Sequence, residues 1–143
     1  MSELTALSVH PSCLLIRGDR SGATLRPNPS FVPKSLRSAF RSRAIQLGGF
    51  SLPPHGGDRE AKLHLLCPVR ALACYVERTA ALRRTEQLLV CFGGGVIGKA
   101  LSKKRLAGWL CECIALGRAC PTGVRAHSTR AVAASTALSL IHI

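Results

Sequence analysis

Proline has no backbone N–H to give and is tolerated in a helix only at its first turn, so a proline that opens an apolar-periodic stretch fixes a helix start. Pro68 does this. After it, Val69, Leu72, Ala73, Val76 and Ala80 recur at helical spacing, with Arg70, Glu77 and Arg78 outside the stripe. The pattern predicts an amphipathic helix over residues 68–82 with one buried face. Tyr75, the only tyrosine of the chain, falls mid-helix and is expected to pack there with its hydroxyl at the rim.

Upstream, the apolar run Ser12 to Ile16 is followed by GDRSG (Gly18 to Gly22) and then by ATLRP. Strand, Gly/Asp-rich turn and second strand make a hairpin. Ser2 to Ser8 reads as the tail of a helix, with Leu4 and Leu7 on one face and no first turn before it. Pro27, Pro29 and Pro33 restrict the stretch after the hairpin to edge or irregular structure, and Phe31 and Val32 are expected against the hairpin. Residues 51–62, SLPPHGGDREAK, have the composition of a loop. Gln87 to Phe92 reads as a short strand. Ser102 then opens a helix whose buried stripe is Leu106, Trp109, Leu110, Cys113 and Ile114. The fold class expected is α+β, mainly helical with a small antiparallel hairpin or sheet, in one domain over residues 1–143. A chain of 143 residues, 47% of them hydrophobic, is long and apolar enough for a core and is not a disordered tail.

Charge restricts the partner. Lys and Arg number 20 against 7 acids, a formal net charge of +13, with a pI near 10.5. Such a balance points to a polyanion, with nucleic acid ahead of an anionic membrane surface. From Arg17 to Arg43 seven bases face one acid, Asp19; a solvated face and a broad basic patch both fit. Lys103, Lys104 and Arg105 crowd the first turn of their helix, where each opposes the helix dipole by about 0.3–1 kcal/mol, a cost that a bound phosphate backbone would offset. No apolar run approaches the roughly 18 residues of a membrane span, and MSELTALSVH lacks the features of a signal peptide. A soluble, intracellular protein without a membrane partner is expected.

Seven cysteines at irregular spacing do not form a disulfide framework. Cys67, Cys74 and Cys91 lie in apolar runs and read as small buried hydrophobes. Cys111, Cys113, Cys120 and His127 suggest zinc, but residues 111 and 113 lie about 200° apart on one helix and cannot share an ion. No metal and no cofactor are expected.

Two stretches carry chemistry. In PTGVRAHSTRAVAASTALS, Pro121 to Ser139, His127 and Arg130 are three residues apart, and Ser128 or Thr129 can cap a helix. The pair then shares a face near a helix N-terminus, where amide N–H groups and the dipole favour an anion, Arg grips two of its oxygens, and His exchanges a proton. Taken alone, H-x-x-R also suits a capping His and a solvated Arg. The other stretch is Gly93, Gly98 and Lys99, matching the G-x4-G-K part of a phosphate-binding loop. Ala100 stands where that loop needs a hydroxyl for magnesium, and no strand ending in Asp comes after it. A glycine-rich strand-to-helix turn accounts for it better; a small nucleotide-binding protein using Gly93, Gly98 and Lys99 is the alternative function.

The order SELTAL, basic hairpin, LCPVRALACYV, LLVCFGGG, LSKKRLAGWL and TGVRAHSTRAVAAS resembles the catalytic domain of tyrosine recombinases of DIRS-like retrotransposons, up to about Leu138. The resemblance implies a DNA recombination and integration enzyme that clasps duplex DNA, whose members assemble as oligomers on their substrate. It makes His127 the box histidine that contacts the scissile phosphate and assists proton transfer. Arg130 is the arginine that stabilises charge in the transition state. Arg20, Arg26, Lys103, Lys104, Arg105 and Arg125 are the expected DNA contacts.

Three family positions are not filled. The first arginine, three residues before the Glu of the SEL box, falls before Met1; the hairpin turn holds Arg20 and no Lys; and no Tyr follows Arg130. Tyr75 lies on the wrong side of the box. The expectation is an incomplete recombinase domain, with 138–143 a divergent tail, that binds DNA in the nucleus without cutting it. A degenerate product that folds poorly is the third reading.

Overall fold

The computed structural model describes residues 2–31 and 44–116. Arg125, His127 and Arg130, with Cys120, Val32 and the bases at 34, 37, 41 and 43, lie outside the described residues. The chain divides into two units, Ser2–Leu101 and one that starts at Ser102.

In the first unit a short helix α1 (Ser2–Thr5) precedes strands β1 (Leu14–Ile16), β2 (Gly22–Leu25) and β3 (Ile45–Gly48), then helices α2 (Asp58–Leu65) and α3 (Pro68–Thr79). The strands form an antiparallel sheet in the order β1-β2-β3. The hairpin is the one read from GDRSG. Its turn is closed by the Arg17 amide donating to Gly22 O at 2.9 Å. Asp19 Oδ1 accepts from the Ser21 amide at 2.9 Å and from the Ser21 hydroxyl at 2.7 Å, while Arg20 takes the left-handed conformation at φ 56°. At the class level the structure is α+β, as expected.

One sheet face and α3 make the core. Ala23, Cys67 and Val69 are buried together, with Ile16, Leu47 and Leu72 against them. Leu7, Leu25 and Leu88 form a second cluster that Val76 and Leu72 join. Full burial of each Leu or Val is worth roughly 1.5–3 kcal/mol, so the half-buried Leu72 and Val76 extend the stripe begun by Val69 and Ala73. Cys67 caps α3 and Pro68 is its first residue.

Several expectations need correction. Helix α3 ends at Thr79, and residues 80–82 tighten into a 3-10 turn. Ala80 is exposed and Thr79 is buried instead. Its hydroxyl donates back to Tyr75 O at 2.8 Å and approaches Val76 O at 3.3 Å, which lets a polar residue enter the core. Residues 58–62 are helical, not loop: Asp58 and Glu60 occupy the first turn of α2, where acids favour a helix start. Leu7 leaves the helix to bridge Pro27, and Gln87 and Val90 form isolated bridges to Ser8 and Ala100 in place of a strand over 87–92. Cys74 is exposed, whereas Cys67 and Cys91 are buried as expected.

In the second unit α4 (Lys103–Leu116) is capped by Ser102, whose Oγ accepts from the Arg105 amide at 3.3 Å. Leu106 is buried and Leu110 half-buried, but Trp109 is 37% exposed and Cys113 is exposed, so these two do not join the buried stripe expected of them; the Ile114 side chain lies outside what is described.

Candidate nucleic-acid interface

The bases expected to contact DNA fall into three settings among the described residues. Lys103, Lys104 and Arg105 are consecutive, all exposed, and on the first turn of α4. None forms an ion pair among the described residues. Arg26, also exposed, lies on the outer face of the sheet. There Leu15, Thr24 and Gln46 stand in register across the three strands, and Thr24 Oγ1 donates to Gln46 Oε1 at 2.8 Å. These residues, with Pro11, Ser12 and Cys13, line a shallow cavity of about 180 Å³. Arg20 is committed elsewhere: its Nη2 donates to Glu77 Oε1 at 3.1 Å, tying the hairpin turn to α3. Both partners are exposed, so the pair is worth at most about 1 kcal/mol and opens readily.

Tyr75 is built into the fold. Its hydroxyl accepts the Val90 amide at 3.0 Å, its ring meets Phe92 edge-on at 6.2 Å, and the Arg83 guanidinium lies 5.6 Å from the ring centroid. The same guanidinium donates to Gln87 O at 2.7 Å and Leu88 O at 3.0 Å. Sequence spacing placed the ring correctly but gave no sign of this use of the hydroxyl, because the acceptor role depends on a segment fifteen residues away.

The glycine-rich segment closes as a hairpin. The Cys91 amide donates to Lys99 O at 2.8 Å, the Gly98 amide to Cys91 O at 3.0 Å, the Lys99 amide to Val96 O at 3.1 Å, and the Leu101 amide to Leu89 O at 3.1 Å. A phosphate cradle needs amides converging on an anion; those of Gly98 and Lys99 are turned to the chain's own carbonyls. The strand-to-helix turn expected here is therefore replaced by a chain reversal, with Gly93, Gly94 and Gly98 at positive φ.

Cys67, at the start of α3, illustrates what a helix N-terminus does to a thiol. Burial pushes it up, but the backbone N–H groups of Arg70, Phe50 and Val69 and the Arg70 charge outweigh burial and hold it below its ordinary value. At its position Cys67 is fully buried, out of reach of a substrate. Among the described residues no group of three or more His, Cys, Asp or Glu is arranged to hold a metal, and no helix is long and apolar enough to cross a membrane.

No protein-family model matches the chain, no curated protein matches it, and no solved structure matches it.

Proposed function

We propose that the chain binds duplex DNA through its sugar–phosphate backbone, as a recombinase-type domain in which His127 and Arg130 hold one phosphate and other bases of the chain hold further phosphates. The observation that carries this reading is the first turn of α4. Three consecutive cations, exposed and without an acidic partner among the described residues, sit where the helix dipole disfavours them. A row of phosphates reverses that penalty and releases counterions on binding. The net charge of +13 and an order of sequence segments that resembles that of tyrosine recombinases support the same reading. Arg26 on the sheet and Arg125 before the His127 box are the remaining contacts; Arg20 joins them once its surface pair with Glu77 opens.

Within these residues the chemistry is recognition of phosphate, since Tyr75 is spent on the fold. Fluorescence anisotropy with a labelled duplex of arbitrary sequence at low salt tests the proposal. Binding is expected for the wild type and weaker binding for His127→Ala with Arg130→Ala, whereas magnesium-dependent ATP binding abolished by Lys99→Ala, without duplex binding, would contradict it.

A further inference from the structure

His55, in the loop before α2, and His64, in the last turn of α2, bring their rings together with centroids 5.1 Å apart and planes inclined at 50°. Both residues are half-buried. The Nδ1 atoms of both are buried, and neither has a hydrogen-bond partner among the described residues. Buried ring nitrogens are ordinarily satisfied; two adjacent orphans are an arrangement that a shared ligand resolves.

The spacing fits a metal. Two imidazoles that shared one tetrahedral ion, each at a metal–nitrogen bond of about 2.0–2.1 Å, would have ring centroids about 5.2 Å apart, and the separation here is 5.1 Å. The pair is also held in place. Glu60, one turn before His64 on α2, accepts the Gly56 amide at 2.7 Å through Oε2, which ties the residue following His55 to the helix that carries His64. On the far side the Cys67 amide donates to His64 O at 3.1 Å.

We propose that His55 and His64 form a two-imidazole site for a divalent transition-metal ion of the zinc, cobalt, nickel and copper class. No third protein donor closes the set among the described residues, so solvent oxygens complete the coordination once the two rings turn their buried Nδ1 atoms outward around the ion. Imidazole pairs select these ions over magnesium or calcium, which require oxygen ligands. The site is independent of DNA binding and uses none of its residues.

Cobalt(II) is the probe, titrated into the full reduced chain. One equivalent is expected to bind with d–d absorption and no thiolate-to-cobalt charge transfer, and to broaden the NMR signals of His55 and His64 while sparing those of His10. His55→Ala and His64→Ala should each weaken binding by about tenfold or more, and His10→Ala should leave it unchanged. The proposal is overturned if the wild type shows no saturable binding up to millimolar cobalt, if a thiolate band appears, or if either variant keeps wild-type affinity. Should a variant fail to fold, the wild-type spectrum and the selective broadening decide the matter by themselves.

Discussion

Replacing Tyr75 with Phe removes a single oxygen and keeps the ring. The ring contacts with Phe92 and Arg83 survive, so the change isolates the hydrogen bond that the hydroxyl accepts from the Val90 amide at 3.0 Å. Val90 is fully buried, so its amide loses this acceptor inside the fold. An amide stranded in this way costs about 1–3 kcal/mol, a substantial part of the roughly 5–15 kcal/mol that holds a domain together. Urea unfolding followed by circular dichroism should show the midpoint falling with an unchanged slope, and the thermal midpoint should drop by about 2–4 °C for each kcal/mol lost. Tyr75→Leu should cost more, because it also removes the edge-on ring contact and the surface under the guanidinium. Duplex affinity of the folded Tyr75→Phe protein should match the wild type. A Tyr75→Phe protein within about 0.5 kcal/mol of wild type would refute the reasoning, since that is the range of surface changes away from such features.

Gly98→Ala should destabilise by about 2 kcal/mol or more, because Gly98 sits at φ +75° and an added Cβ would run into the Leu82 carbonyl. Gly95→Ala, where a Cβ meets open space, is the matched control, and equal thermal midpoints for the two would sink the argument. Asp19 gives a pH dependence: the Ser21 amide first and the Ser21 hydroxyl second hold its carboxyl below the ordinary 3.8. A carboxyl depressed in the folded state stabilises above its unfolded value and loses that contribution as pH falls through the folded one. Thermal midpoints measured from about pH 5 downward should therefore fall further in wild type than in Asp19→Asn, and parallel curves would contradict the turn described.

Period and turn chemistry account for the parts of the fold that were legible in the sequence. The stripe Val69, Leu72, Ala73 and Val76 was readable because Pro68 sets the register and helical spacing does the rest. The β1–β2 hairpin was readable because Gly18, Asp19 and Gly22 have few other uses between two apolar runs. β3 was hidden: IQLG is four residues long and comes after a stretch dominated by bases. The start of α2 was obscured by the Pro and Gly residues of 51–57, although Asp58 and Glu60 signal a helix start. Thr79 gave no sign of burial in the sequence, because its place in the core depends on a hydroxyl that bonds its own helix. The exposure of Arg26, Lys103, Lys104 and Arg105 is what residue type suggests, but the Glu77 partner of Arg20 could not be named, since 57 positions separate them, and Arg125, His127 and Arg130 lie outside the described residues. The His55–His64 pair gave no signal either, because one member lies in a loop and no periodicity links it to the other.

The central claim is that this chain holds phosphates through the exposed cations that open α4, which form no ion pair among the described residues. It is tested most directly by the salt dependence of duplex binding, measured for the wild type and for the combined Lys103→Ala, Lys104→Ala and Arg105→Ala protein. With each phosphate contact contributing about 0.9 to the slope of log K against log salt, loss of all three should flatten that slope by about 2.7. Identical slopes for two equally folded proteins would contradict the account.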